Sequence, residues 1–131
     1  MANISALIEK ENYTIKLSSE SGNILIADEP IEIGGQNKGF SPGELLASSL
    51  ASCTAITLKM YINRKQWQIK NIKVDVSINS DKQQNITKIQ CKIILPQNIT
   101  EEQKNRLIHI AHQCPIHKIL INSIQIDVVS N

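Results

Sequence analysis

Residues 41–61 read SPGELLASSLASCTAITLKMY. Ser41 is a strong helix N-cap, Pro42 falls at the first helical position, and Glu44 stands three residues after Ser41 to complete a capping box. The spacing predicts a helix from Pro42 to about Asn63. Its middle, ASSLASCTA, is rich in small residues that let other backbones approach closely. The helix is therefore expected to be buried on most sides, with the other elements arranged around it.

Upstream, Tyr13, Ile15 and Leu17 alternate with Thr14 and Lys16, Ser21-Gly22-Asn23 marks a turn, and Ile24-Leu25-Ile26 resumes a strand. Residues Ile4 to Ala27 thus read as strands, followed by a loop from Asp28 to Phe40 that contains IGGQNKG. Downstream, Ile72, Val74, Val76 and Ile78 alternate with Lys73, Asp75, Ser77 and Asn79. A turn at Asp81 to Asn85 leads to Ile89, Cys91, Ile93 and Leu95 on one face of the next strand, as in an antiparallel pair with one wet side. Thr100-Glu101-Glu102-Gln103 is a second capping box, opening a helix with Leu107, Ile110, Ala111 and Cys114 on one face. Pro115 interrupts that helix and starts a shorter one to about Asn122. Ile124, Ile126 and Val128 predict a final strand. The order predicts one α+β domain over residues 1–131, with antiparallel sheets around a long central helix and a second helix pair.

Net charge is +2 and basic residues are scattered, so no nucleic-acid groove is expected. An aromatic content of 3% also argues against base-stacking surfaces. The opening MANISALIEKEN has no basic region before an apolar run, so no secretory signal is read. The longest uncharged stretch, Leu45 to Leu58, is shorter than the roughly 18–20 apolar residues of a membrane span. A cytoplasmic protein without a membrane partner is the expectation. In a reducing compartment Cys53, Cys91 and Cys114 are core residues, metal ligands or redox groups rather than structural staples.

Cys91 lies on the apolar face of a strand and reads as a small buried hydrophobe. Cys114 directly precedes Pro115 and is a candidate N-cap. Its sulfur would then sit among unpaired N–H groups at the positive end of a helix, which lowers a thiol pKa from about 8.5 towards roughly 3.5–7.5. His117 is the candidate for tuning it; closing the apolar face of the preceding helix is the alternative reading. Cys53 has Ser49, Leu50, Ile56 and Thr57 as helical neighbours. None is cationic, so by itself Cys53 reads as core rather than catalyst. A metal site from His112, Cys114 and His117 has imperfect spacing and a proline inside it, and no metal or other cofactor is expected.

The segment 41–61, followed about sixty residues later by CPIHK (114–118) and preceded by IADEPIEIGGQNKGF, resembles the OsmC/Ohr family of peroxide reductases. The likeness covers most of the chain and is nearest the OsmC-like branch. The resemblance implies an intertwined homodimer and a thiol peroxidase in which Cys53 attacks an organic hydroperoxide and Cys114 resolves the product through an intramolecular disulfide. It also implies a dithiol reductant, dihydrolipoamide or a thioredoxin-type protein. A pocket lined by Leu46, Leu50, Ile56 or Met60 would favour organic peroxides. Two departures stand out. Family reductases hold the peroxidatic thiolate with an Arg near the N-terminal strands, whereas the only arginines here are Arg64 and Arg106. Lys16 or Lys38 is the candidate substitute, without the planar guanidinium fork. The Ohr-type Glu position is held by Gly43, with Glu44 about 100° further round the helix. Glu44 reads first as a capping carboxylate and second as a supporting site residue. These departures keep a second function open: a redox-responsive or small-ligand-binding protein with little peroxidase activity.

Overall fold

The computed structural model describes residues 2–131, which divide into two compact units, one ending at Leu46 and the other spanning Ala47–Asn131. In the first, β1 (Ile4–Ile8), β2 (Ile15–Ser19) and β3 (Ile24–Ala27) form an antiparallel sheet in that order. Ile4 stands opposite Ser19, and Ile15 opposite Ala27. The loop that follows is tied to one carboxylate. Asp28 is buried and accepts hydrogen bonds from the Thr14 hydroxyl and from the backbone N–H groups of Glu29, Gln36 and Lys38. Burial pushes its pKa up, but the donors outweigh that and hold it below the ordinary aspartate value. The loop glycines follow from the same packing: a Cβ at Gly35 would collide with the Glu29 carbonyl, and one at Gly39 with that of Ile26.

The long helix α1 spans Pro42–Lys65, two residues past the sequence estimate. Its start is the expected capping box: the Glu44 N–H donates to Ser41 Oγ at 3.2 Å and the Ser41 N–H to the Glu44 carboxylate at 3.1 Å. Burial on most sides is not what the chain shows. Leu50, Thr54, Leu58, Tyr61 and Ile62 are buried along one stripe, while Ile56 and Met60 are exposed. Small residues permit close approach, but they do not by themselves bring a neighbour, and Ile56 and Met60 stay exposed in this single chain. By length and composition α1 would also satisfy the test for a membrane span, a property that core helices share.

In the second unit β4 (Lys73–Asp81) pairs antiparallel with β5 (Ile86–Ile94), setting Val76 opposite Cys91 and Ile78 opposite Ile89. Helix α2 (Glu101–Ala111) starts at the Thr100/Gln103 capping box. Helix α3 (Pro115–Ile121) follows a three-residue bend. Leu58, Tyr61, Ile62 and Leu107 make the core, with Trp67, Ile93, Leu95 and Ile110 packed against it. Burying each such side chain contributes about 1.5–3 kcal/mol, which fixes α1 to α2 and thereby the two cysteine-bearing segments. The predicted last strand is absent. Residues 123–131 carry no regular secondary structure, and Ile126 and Val128 are exposed. An alternating pattern becomes a strand only when a sheet edge accepts its backbone groups, and none does so among the described residues.

Candidate functional site: a cysteine pair

Cys114 is held at the bend between α2 and α3. Its N–H reaches the Ala111 carbonyl at 3.3 Å as α2 ends, and its own carbonyl accepts from Lys118 at 3.1 Å as α3 begins. Pro115 occupies the first helical position, where a missing N–H leaves no bond unmade. The residue is fully buried. Cys53 lies one step round α1 from the buried Thr54 and is partly exposed. The core contacts between α1 and α2 bring the two free thiols to face each other.

Their environments differ in sign. Burial pushes the Cys53 thiol up, and the neighbouring Cys114 sulfur adds to the rise. The Ile116 N–H and the Thr57 hydroxyl oppose this only in part. Burial also acts to raise Cys114, but it is overcome by the Cys53 S–H, the His117 N–H, the Thr54 hydroxyl and the Ile116 N–H. Together they hold that thiol below its ordinary value. Of the two, Cys114 is therefore the thiol that ionises more readily. Cys114 makes no side-chain capping hydrogen bond to α3.

His117 contributes to this through its backbone. Its ring turns to His112, edge to face, at 5.2 Å between centroids. Among the described residues no three His, Cys, Asp or Glu side chains gather as metal ligands. Glu44 is engaged in the capping box, and Lys38 pairs with Glu11 at 3.0 Å. Lys16 is exposed on β2.

Thr54 was not singled out in the sequence, although it adjoins Cys53. Besides facing Cys114, its oxygen receives the Cys91 S–H at 3.9 Å. Cys91 is half-buried and lines a cavity of about 550 Å³ with Leu50, Thr54, Ile89, Ile93 and His117. Of the apolar residues named as alternatives for a pocket lining, Leu50 lines this cavity, Ile56 lines a separate open groove, and Leu46 and Met60 are exposed.

Fold and site define a small α+β protein with two free cysteines of opposed electrostatics, set where a long helix meets a helix bend. The OsmC-like protein family model matches residues 35–129, and the chain belongs to that family. A search of curated proteins returns no match. Several solved structures share the fold. A putative osmotic stress induced and detoxification response protein from Psychrobacter arcticus 273-4 is 21% identical, with TM-score 0.77 over 91% of this chain and 88% of that one. The organic hydroperoxide resistance protein OhrB of Bacillus subtilis is 21% identical, with TM-score 0.63 over 92% and 90%. An OsmC-like protein from Mycoplasma pneumoniae is 21% identical, with TM-score 0.71 over 92% and 86%.

Proposed function

We propose that the protein reduces organic hydroperoxides with Cys53 as the attacking and Cys114 as the resolving thiol. The observation that supports this reading is the facing pair of thiols, Cys53 raised and Cys114 lowered. Cys53 is the more accessible sulfur but the harder to ionise; in this scheme buried Cys114 ionises first and Cys53 keeps the proton. On attack, the Cys53 proton passes to Cys114, and the Cys53 thiolate displaces alkoxide from the distal peroxide oxygen. The alkoxide takes the proton back and leaves as an alcohol. Cys53 is now a sulfenic acid and Cys114 again a thiolate, which attacks the Cys53 sulfur, forms the disulfide and releases hydroxide. Two electrons have moved from the thiols to the peroxide. A dithiol, dihydrolipoamide or a thioredoxin-type protein, restores both thiols by exchange. In this scheme Cys114 replaces the arginine that the N-terminal strands lack: the nucleophile is activated by a neighbouring base.

A homodimer fits the exposed apolar side of α1, Ile56 and Met60, and the unpaired alternating segment Ile124, Ile126 and Val128, since a second copy would cover the one and pair with the other. A cytoplasmic setting fits two thiols kept reduced between turnovers. The raised Cys53 thiol favours a second reading, in which turnover is slow and the pair serves as a redox-responsive or ligand-binding element.

The test is to treat reduced protein with stoichiometric cumene hydroperoxide and map the products by mass spectrometry. Rapid formation of a Cys53–Cys114 disulfide supports the enzyme. Slow formation supports the second reading. Survival of both thiols in excess peroxide defeats the cysteine-pair chemistry.

A further inference from the structure

At the far end of α1, positive charges converge on one aromatic ring. Tyr61 is buried, and Trp67 meets it edge-on at 5.5 Å between centroids. Arg64 Cζ lies 5.2 Å from the Tyr61 centroid, Lys65 Nζ 5.8 Å and Arg106 Cζ 5.5 Å. Two of these cations come from the last turn of α1 and the third from α2, so the tertiary packing, not one helix, assembles them. The three charges stand about a Debye length apart at most, ~10 Å at 0.1 M salt, so their repulsion is only partly screened.

Such a cluster ordinarily recruits carboxylates. Here none forms an ion pair with it: the ion pairs among the described residues are Lys38–Glu11 and Lys73–Asp75. Arg106 donates through Nε to the Tyr61 hydroxyl at 2.9 Å. That bond orients the guanidinium and leaves its terminal nitrogens for another acceptor. An open groove of about 730 Å³ runs beside it, with Lys65, Trp67, Gln103, Arg106 and His109 in its walls and Glu102 as its only carboxylate.

We propose that this groove binds a phosphate monoester, with its dianionic head between Arg106 and Lys65 and its organic body against Trp67. An oriented guanidinium edge matches two phosphate oxygens at once, and a lysine nearby adds charge without geometric demand. A monoester suits the site better than a simple anion because the indole wall offers apolar contact beside the charge. The site lies outside the cysteine pair, and its occupancy does not depend on peroxide chemistry.

Trp67 is the single tryptophan of the chain and reports directly on the groove. The experiment titrates the reduced full-length protein with phenyl phosphate, inorganic phosphate, sodium acetate and sodium chloride at matched ionic strength, reading Trp67 fluorescence. Saturable binding of phenyl phosphate, weaker saturation with inorganic phosphate and no saturation with acetate or chloride supports the proposal. Lys65→Gln and Arg106→Gln should each weaken phenyl phosphate about tenfold or more, the loss of one charge-assisted contact, and Glu102→Gln should strengthen it. Lys65 is exposed, so its variant keeps the test decisive if Arg106→Gln disturbs the core. Equal responses to all four salts, tighter binding of inorganic phosphate than of phenyl phosphate, or undiminished phenyl phosphate binding in Lys65→Gln overturns the proposal.

Discussion

Oxidising the cysteine pair should stabilise the protein markedly. A bond between Cys53 and Cys114 would close a loop of about 60 residues, which removes conformations from the unfolded chain worth about 4 kcal/mol in the loop-entropy description. The facing thiols sit on α1 and at the α2–α3 bend, both fixed by the core of Leu58, Tyr61, Ile62 and Leu107, so little backbone movement should be needed to join them. A strained bond would return part of the gain. For a chain of this size a urea slope of about 2 kcal/mol/M converts the gain into a rise of about 2 M in the midpoint. The assay compares urea unfolding of peroxide-oxidised and dithiothreitol-reduced protein at one protomer concentration, because any dimer would add a concentration dependence. Cys91→Ser should keep the full shift, and Cys114→Ser should abolish it. An unchanged or lower midpoint on oxidation, with the disulfide verified by mass, would refute the claim that the fold holds the two sulfurs ready to bond.

Three further outcomes follow from the same contacts. Cys53→Ala removes the first of the donors that lower Cys114, so Cys114 should titrate at higher pH, read from thiolate ultraviolet absorbance; an unchanged or lower titration point contradicts the shared proton. Leu107→Ala empties a fully buried position between α1 and α2 and should cost about 2–5 kcal/mol in urea unfolding, whereas a loss below about 1 kcal/mol would mean that the site collapses freely. Asp28 has a depressed folded-state pKa, so its contribution is present above the unfolded-state value and fades as pH falls through the folded one. Proteolysis within residues 28–40 should therefore accelerate in strongly acidic buffer for the native chain, while Asp28→Asn should be cut readily already at neutral pH; native-like resistance in that variant would contradict the anchoring role.

The sequence was most readable where structure is local. Ser41 with Glu44 and Thr100 with Gln103 each satisfy helix donors within four residues, and both boxes form at the places their spacing announces. The β4–β5 hairpin is equally local, since alternation specifies a face and Asp81 accepts from Gln83 and Gln84 to turn the chain. The final strand failed because its pattern describes a face without naming an edge to pair with. Burial of α1 was overestimated for a related reason: small residues say that something can approach, not that this chain supplies it. The cysteine pair needed the resemblance, because Cys53 alone looks like any small core residue. Even then, which sulfur ionises more readily was hidden. That depends on dipoles from Ile116 and His117 and on hydroxyls from Thr54 and Thr57, gathered from two segments some sixty positions apart. Cys114 could be suspected because two of its activating groups, the Ile116 and His117 N–H, follow it directly in the chain. Cys53 could not, because the base we assign to it is Cys114 itself. The missing N-terminal arginine then changes meaning. Where an arginine would lower an attacking thiol directly, the proposed scheme places the charge first on the buried sulfur and transfers one proton before attack. If the reading holds, the rate should follow the ease of that transfer, and Thr54→Val, which destabilises the Cys114 anion and makes it a stronger base, should speed oxidation of Cys53 by peroxide in single-turnover measurements at a pH where the pair is singly ionised. A slower reaction in that variant would show that attack does not draw on a proton transfer from Cys53 to Cys114.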